Sequence, residues 1–258
     1  MIFPRIALRS SILGAATSTP VDLILRVASP LVLAVLLFVS VPGVAIAESR
    51  LSVEESPLSV KIGGRDYSLP ALIVKPRGVA HRLPIAIIAH GSPRANADRA
   101  NYRVRALLPL ARNLAHRGWL VVAFLRRGFG ENPGTFVEGF ACSAPDYHRA
   151  LATAAEDIEA VRAAVATRPD ADATRVLGLG VSVGGAALLA WAATRPDGLV
   201  GVVNLSGGSG ALIPGRNGDE KTLVAAFASY GARARIPTLW LYAENDSFFG
   251  PAGPAAAP

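Results

Sequence analysis

The sequence predicts an α/β protein with a mostly parallel, doubly wound sheet, preceded by a short address segment. Three observations predict it. Near-continuous apolar runs such as PIAIIAH (84–90), WLVVAFL (119–125) and RVLGLGV (175–181) read as strands buried on both faces. The stretches between them carry apolar residues at helical spacing. Strands alternating with helices of about ten residues or more imply parallel pairing, because the crossover must return the chain to the same end of the sheet.

The address segment comes first. Arg5, Arg9 and Arg26 precede the apolar run LVLAVLLFVSVPGVAIA (31–47), which ends in the small-x-small triplet Ala45-Ile46-Ala47 before Glu48. A basic region, an apolar core and an A-x-A site together read as a secretory signal peptide over residues 1–47. The alternative is an uncleaved anchor, since the run approaches one spanning length. Pro42 and Gly43 near its end favour cleavage. The expectation is export to the periplasm or beyond, with a mature domain over 48–258 and no membrane span after cleavage.

The mature chain opens on a hairpin, LSVKI (58–62) and YSLPALIVKP (67–76), around Gly63-Gly64. Pro70 lacks a donor, so it predicts an edge or a bulge in the second strand. Strand 84–90 follows, then a helix with Leu107, Leu110, Ala111 and Leu114 on one face, ending at Gly118. After strand 119–125 a long loop leads to a helix from about Pro145 to Thr167, with Leu151, Ala154, Ile158, Val161 and Val165 inward. Strand 175–181 runs directly into an Ala-rich helix, 183–194. LVGVVNLS (199–206), a helix around 219–230 and PTLWLYAEN (237–245) complete the pattern.

Composition excludes several classes. The formal charge of +7 comes from scattered arginines, with Lys only at 61, 75 and 221, so no basic run marks a nucleic-acid partner. The single cysteine, Cys142, cannot form an intramolecular disulfide and reads as a small, half-buried residue. His81, His90, His116 and His148 lack metal-ligand spacing, and no metal or cofactor is expected.

The chemistry is carried by Gly180-Val181-Ser182-Val183-Gly184, a G-x-S-x-G between a buried strand and a helix. Small residues on both sides let the chain turn sharply and lift the Ser182 hydroxyl above the carboxyl end of the sheet. The helix N-terminus there supplies N–H groups for an oxyanion. A dinucleotide-binding turn is the competing reading. It is disfavoured because Val183 stands where G-x-G-x-x-G needs glycine, and because Ser206, not an acid, ends the next strand. After strand 84–90, His90-Gly91-Ser92 brings backbone close to the same edge. The Ser92 and Val183 amides are the expected oxyanion donors, with Gly91 allowing the approach and His90 ordering the loop. Asp246, following the last strand, has the placement of an acid that orients an imidazole, although Asn-Asp-Ser also suits a turn.

HGSPR (90–94), RRGFGENPG (126–134), GVSVGG (180–185) and LWLYAENDSFF (239–249) together resemble the α/β-hydrolase superfamily, in its dienelactone-hydrolase-like branch, over about 58–249. The resemblance implies a serine hydrolase of carboxylic esters or related acyl substrates, with a small-molecule acyl substrate and the order nucleophile, acid, histidine. Dienelactone hydrolase itself has cysteine at the elbow; Ser182 looks more like general esterases. The family pattern adds a helix, a final strand and a Gly-His after the acid. Here GPAGPAAAP (250–258) follows instead, and no histidine stands after Asp246. The fold is therefore expected to lack the family's final helix and strand, as in a C-terminal truncation, and catalysis to be impaired. A non-catalytic fold that binds a ligand or partner is the alternative.

Overall fold

The computed structural model describes residues 50–93, 96–131, 135–140, 143–213, 216–217, 219–243 and 245–246. The expected signal segment (1–47), Arg94, Cys142 and the tail after Asp246 lie outside these.

Nine strands and four α-helices are described. In chain order they are β1 (Leu51–Ile62), β2 (Arg65–Pro76), β3 (Leu83–Ala89), α1 (Leu108–Ala115), β4 (Leu120–Phe124), α2 (Tyr147–Ala166), β5 (Ala171–Val181), α3 (Val183–Ala192), β6 (Leu199–Leu205), β7 (Ala211–Ile213), β8 (Arg216–Asn217), α4 (Glu220–Gly231) and β9 (Thr238–Leu241). Two 3-10 turns precede α1. Seven strands form one sheet in the order β1-β2-β4-β3-β5-β6-β9. The first two are antiparallel and the other five run parallel. This is the mostly parallel α/β architecture that the alternation predicts.

Each face of the sheet has its own core. In β3, Ile85, Ile87 and Ala89 point into the larger core with α2, α3 and α4, while Ala86 and Ile88 point into the smaller one with Leu108, Ala111 and Ala115 of α1. All five are fully buried, which is why the strand reads as a continuous apolar run. Helix α3 is buried on every side from Gly184 to Ala192, so its sequence is apolar without a polar stripe. Asp146 caps α2 by accepting the Arg149 N–H at 2.9 Å, and Asp219 caps α4 through Thr222 at 3.0 Å.

Three expectations are corrected. Strand β1 starts at Leu51, earlier than 58, because an outer strand with Glu54, Glu55 and Pro57 exposed lacks the apolar pattern that betrays inner strands. Pro70 marks neither an edge strand nor a bulge, since β2 lies between β1 and β4 in unbroken register. It is tolerated because it sits where the β4 ladder ends: the Leu125 N–H donates to its carbonyl at 2.9 Å, and the return bond is missing. The last strand covers only Thr238–Leu241 of the expected 237–245. The short pair β7–β8 carries no sequence signal. Among the described residues no helix is long and apolar enough to cross a membrane.

Candidate active site

The parallel strands end level. Phe124, Ala89, Gly180, Asn204 and Trp240 are neighbours across β4, β3, β5, β6 and β9. The segments that follow therefore leave one edge together: Arg126–Arg127, His90–Pro93, Ser182, Ser206–Gly210, Tyr242–Ala243 and Asn245–Asp246. This edge at the carboxyl ends is where α/β sheets bind ligands.

Ser182 joins β5 to α3 with φ 53° and ψ −126°. A non-glycine residue in that region stores on the order of 1–3 kcal/mol. The surroundings impose it. The Ser182 N–H donates to Leu205 O at 3.0 Å, and the Ser182 carbonyl accepts from Gly208 N–H and Ala186 N–H, each at 3.2 Å. The turn is tight enough to require glycine nearby: a Cβ on Gly180 would lie 2.5 Å from the Gly184 carbonyl carbon, and one on Gly184 would run into the carbonyl oxygen of Ala89. The side chain of Ser182 is half-buried and caps no backbone N–H of α3. Val183 is the first residue of that helix, where an N–H has no partner within the helix.

The loop after β3 lies directly against this turn. A Cβ on Gly91 would stand 3.1 Å from Ser182 Cβ and 3.7 Å from its Oγ. His90 holds the loop from below, 2% exposed. Its Nε2 accepts the Arg126 backbone N–H at 3.1 Å, which leaves the proton on Nδ1, 2.6 Å from Gly91 O. Burial, and then the Arg126 guanidinium, holds the His90 pKa well below its ordinary 6.5. The ring is thus a neutral donor to the loop with both nitrogens engaged.

Arg126 is fully buried and grips the same segment, donating from Nη1 to His90 O at 2.6 Å. Its charge is met by Glu138 in a two-pronged pair, Nε to Oε1 at 2.5 Å and Nη2 to Oε2 at 3.2 Å. Next to it, Arg127 is clamped to Asp157 of α2 through its backbone N–H at 2.8 Å and Nε at 2.6 Å. These pairs fix the start of the long loop after β4. On the far side, the Tyr242 hydroxyl donates to Gly207 O at 2.5 Å, and burial, with the nearby Asp246 carboxylate, pushes its pKa up. Asp246 is half-buried and its N–H donates to Ala243 O at 3.0 Å.

Residues 98–212 match the family model Hydrolase_4, described as serine aminopeptidase, S33. The chain has an α/β-hydrolase-like fold. Its fold is shared with the acylaminoacyl peptidase of Pyrococcus horikoshii, at 16% identity over 84% of this chain and 36% of that one, with a TM-score of 0.55. It is also similar to a dienelactone hydrolase-like promiscuous phosphotriesterase from metagenomic libraries, at 18% identity over 79% and 86%, TM-score 0.48. A third similar structure is the rice cell wall degrading esterase LipA from Xanthomonas oryzae, at 18% identity over 61% and 42%, TM-score 0.45. No curated protein sequence matches.

Of the residues singled out from sequence, the fold brings Gly91 against Ser182, sets His90 beneath the loop, and puts Ser92 and Val183 one residue beyond Gly91 and Ser182. Asp246 follows β9, two strands from β5 on the same edge. Of the other histidines, His81 and His116 precede β3 and β4 at the opposite edge, and His148, in the first turn of α2, stacks its ring on Tyr230 at 4.7 Å. Sequence reasoning missed Arg126, Glu138, Asn204 and Tyr242. Two arginines straight after a buried strand were the available signal for the first, since a charge there needs a partner. Among the described residues, no group of three or more His, Cys, Asp or Glu could hold a metal.

Proposed function

We propose that this chain is an α/β-hydrolase, a serine enzyme of the dienelactone-hydrolase-like branch that cleaves carboxylic esters or related acyl compounds. The observation that carries the reading is the left-handed conformation of Ser182 between β5 and α3, a strain that active sites retain. Ser182 Oγ attacks the acyl carbon as its proton passes to a base. The Ser92 and Val183 N–H groups hold the oxyanion. The carbonyl re-forms, the protonated alcohol leaves, and water releases the acid from the acyl-enzyme. Asp246 serves to orient an imidazole and stabilise its charged form.

None of the four histidines in the sequence suits that imidazole. His90 has both nitrogens engaged, two lie at the wrong edge, and His148 stands on α2, before Ser182 in the chain and outside the order nucleophile, acid, histidine. These 258 residues alone should therefore turn over slowly. In a worked serine-protease case, losing the histidine costs on the order of 10⁶ in turnover, and the oxyanion hole and binding keep roughly 10³–10⁴ over water. The test is hydrolysis of p-nitrophenyl acetate by the chain and by Ser182→Ala, with and without added imidazole. After subtraction of the hydrolysis that buffer and imidazole give without protein, the expected result is a weak rate that rises with imidazole and disappears with Ser182. A rate indifferent to Ser182, together with no labelling by a fluorophosphonate probe, would favour the non-catalytic reading instead.

Export is part of the proposal. The A-x-A site at 45–47 supports cleavage before Glu48. Intact mass of the protein recovered from the periplasm measures it. A product that retains residues 1–47 and pellets with membrane would refute cleavage.

A further inference from the structure

Among the described residues, Asn204 alone buries side-chain polar atoms with no hydrogen bond of good geometry. Both Nδ2 and Oδ1 lack one, at 1% exposure. A buried amide left this way is costly, so its place in the apolar run LVGVVNL calls for a reason. The carboxamide stands directly behind the Ser182 turn. It is wedged between Gly185 of α3 and Gly207, and a Cβ on either would collide with it. It also lies against the Tyr242 hydroxyl.

From there the contacts lead to Ser182 in two steps. The Tyr242 hydroxyl donates to Gly207 O at 2.5 Å. The next amide, Gly208 N–H, donates to Ser182 O at 3.2 Å. The same short segment is tied to β9 through Ser206 N–H and Leu241 O at 2.8 Å. Residues 206–208 thus bridge the Ser182 turn and the strand that leads to Asp246, and Ser206 itself is left-handed, φ 46°. A strained residue persists only where its neighbours over-determine it.

We propose that Asn204 and Tyr242 are positioning residues that form a clasp: Asn204 Nδ2 donates to the Tyr242 hydroxyl oxygen, Tyr242 donates to Gly207 O, and the 207–208 peptide fixes Ser182 relative to the Asp246 loop. The clasp's role in turnover rests on Ser182 being the nucleophile. Its existence does not. A small rotation of the Asn204 carboxamide completes the chain of bonds. An aliphatic residue at 204 would fill the space without orienting Tyr242, which is what a satisfied buried polar network adds over apolar packing.

The experiment compares the full chain with Tyr242→Phe, Asn204→Ala and, as a control, Tyr230→Phe. The control loses a similar tyrosine-to-carbonyl bond, Tyr230 to His148 O at 2.6 Å, away from the clasp. Two readouts are taken: amide hydrogen exchange over 205–210, and imidazole-assisted p-nitrophenyl acetate turnover split into kcat and KM. Tyr242→Phe and Asn204→Ala should speed exchange at Gly208 at least about tenfold. They should lower kcat roughly ten- to a hundredfold with KM unchanged, the scale of a small misplacement of a reacting group. Tyr230→Phe should do neither. Unchanged exchange in Tyr242→Phe overturns the clasp, and so does an equal loss of kcat in the control. If no protein shows Ser182-dependent turnover, the serine-hydrolase reading fails, and the exchange data alone decide the clasp.

Discussion

In the middle of the sheet, Ile85 to Ala89 of β3 are all fully covered, whereas β9 buries none of its four residues and leaves Leu239 46% and Leu241 41% exposed. Both strands are apolar. The difference lies in what covers them. Helices α2, α3 and α4 pack on one face, with Trp240 turned toward that core. On the other face, α1 and the aromatic residues after β4 stop at β3. Beyond it the rows Leu179, Val203, Leu239 and Val181, Leu205, Leu241 run outward across β5, β6 and β9. Exposure along the second row is already 37% at Val181. Along the first row burial falls from Leu179, still covered, through half-buried Val203 to exposed Leu239. A strand's own sequence states which side chains prefer burial, and elements elsewhere in the chain decide whether they obtain it.

The centre should be the fragile region, and the largest effect is expected at its buried charge. Arg126 is fully enclosed, and Glu138 is its acidic partner. Glu138→Ala removes one half of the pair and leaves a guanidinium uncompensated inside the protein. Losses of about 3–5 kcal/mol are typical of that change. Urea unfolding of variant and parent gives the difference. A loss below about 1 kcal/mol would mean that the centre is held as loosely as the edge, and the comparison would break there.

Much of this was legible beforehand, and its limits have physical causes. Helix α2 was readable to within a few residues because Leu151, Ala154, Ile158, Val161 and Val165 repeat at helical spacing and all face one core. The Ser182 turn was readable because small residues on both sides of a serine are a steric demand of that turn. The pairing of Arg126 with Glu138, and of Arg127 with Asp157, was not. Those partners lie 12 and 30 residues away, with no local pattern to connect them. Asn204 was hidden inside an apolar run, and Tyr242 read as one more strand residue. Their meaning depends on register between β6 and β9, which is set by the whole sheet and not by either segment.

A smaller effect is expected from His90, and it tests whether the loop over Ser182 belongs to the rigid centre. The ring is neutral in the folded protein because burial, and secondarily Arg126, holds its pKa well below 6.5. The unfolded chain takes up the proton near 6.5. Below that pH the unfolded state binds more protons, so stability falls as pH falls through 6.5 toward the folded pKa. One group supplies at most about 1.4 kcal/mol per pH unit. Melting of the parent and of His90→Gln, followed between pH 7.5 and 5, should show a slope in the parent that is reduced in the variant. Identical slopes would place the titration on other groups.

The smallest effect on stability is expected at Leu239, and it bears most directly on the comparison. Nearly half exposed on an outer strand, the side chain forfeits little on replacement. Leu239→Lys should therefore change unfolding free energy by no more than about 0.5 kcal/mol. Ile87→Ala, at a fully buried site, should cost about 2–5 kcal/mol. Solution behaviour should move the other way. An outer strand with apolar side chains and open backbone groups is a template for pairing with further chains, and a lysine there opposes it. Light scattering against concentration should show less self-association for Leu239→Lys than for the parent, with Ile87→Ala giving no such gain. If Leu239→Lys instead destabilises the protein as much as Ile87→Ala does, residues outside those described cover this face. The two ends of the sheet would then be equally buried, and the contrast between β3 and β9 would be lost.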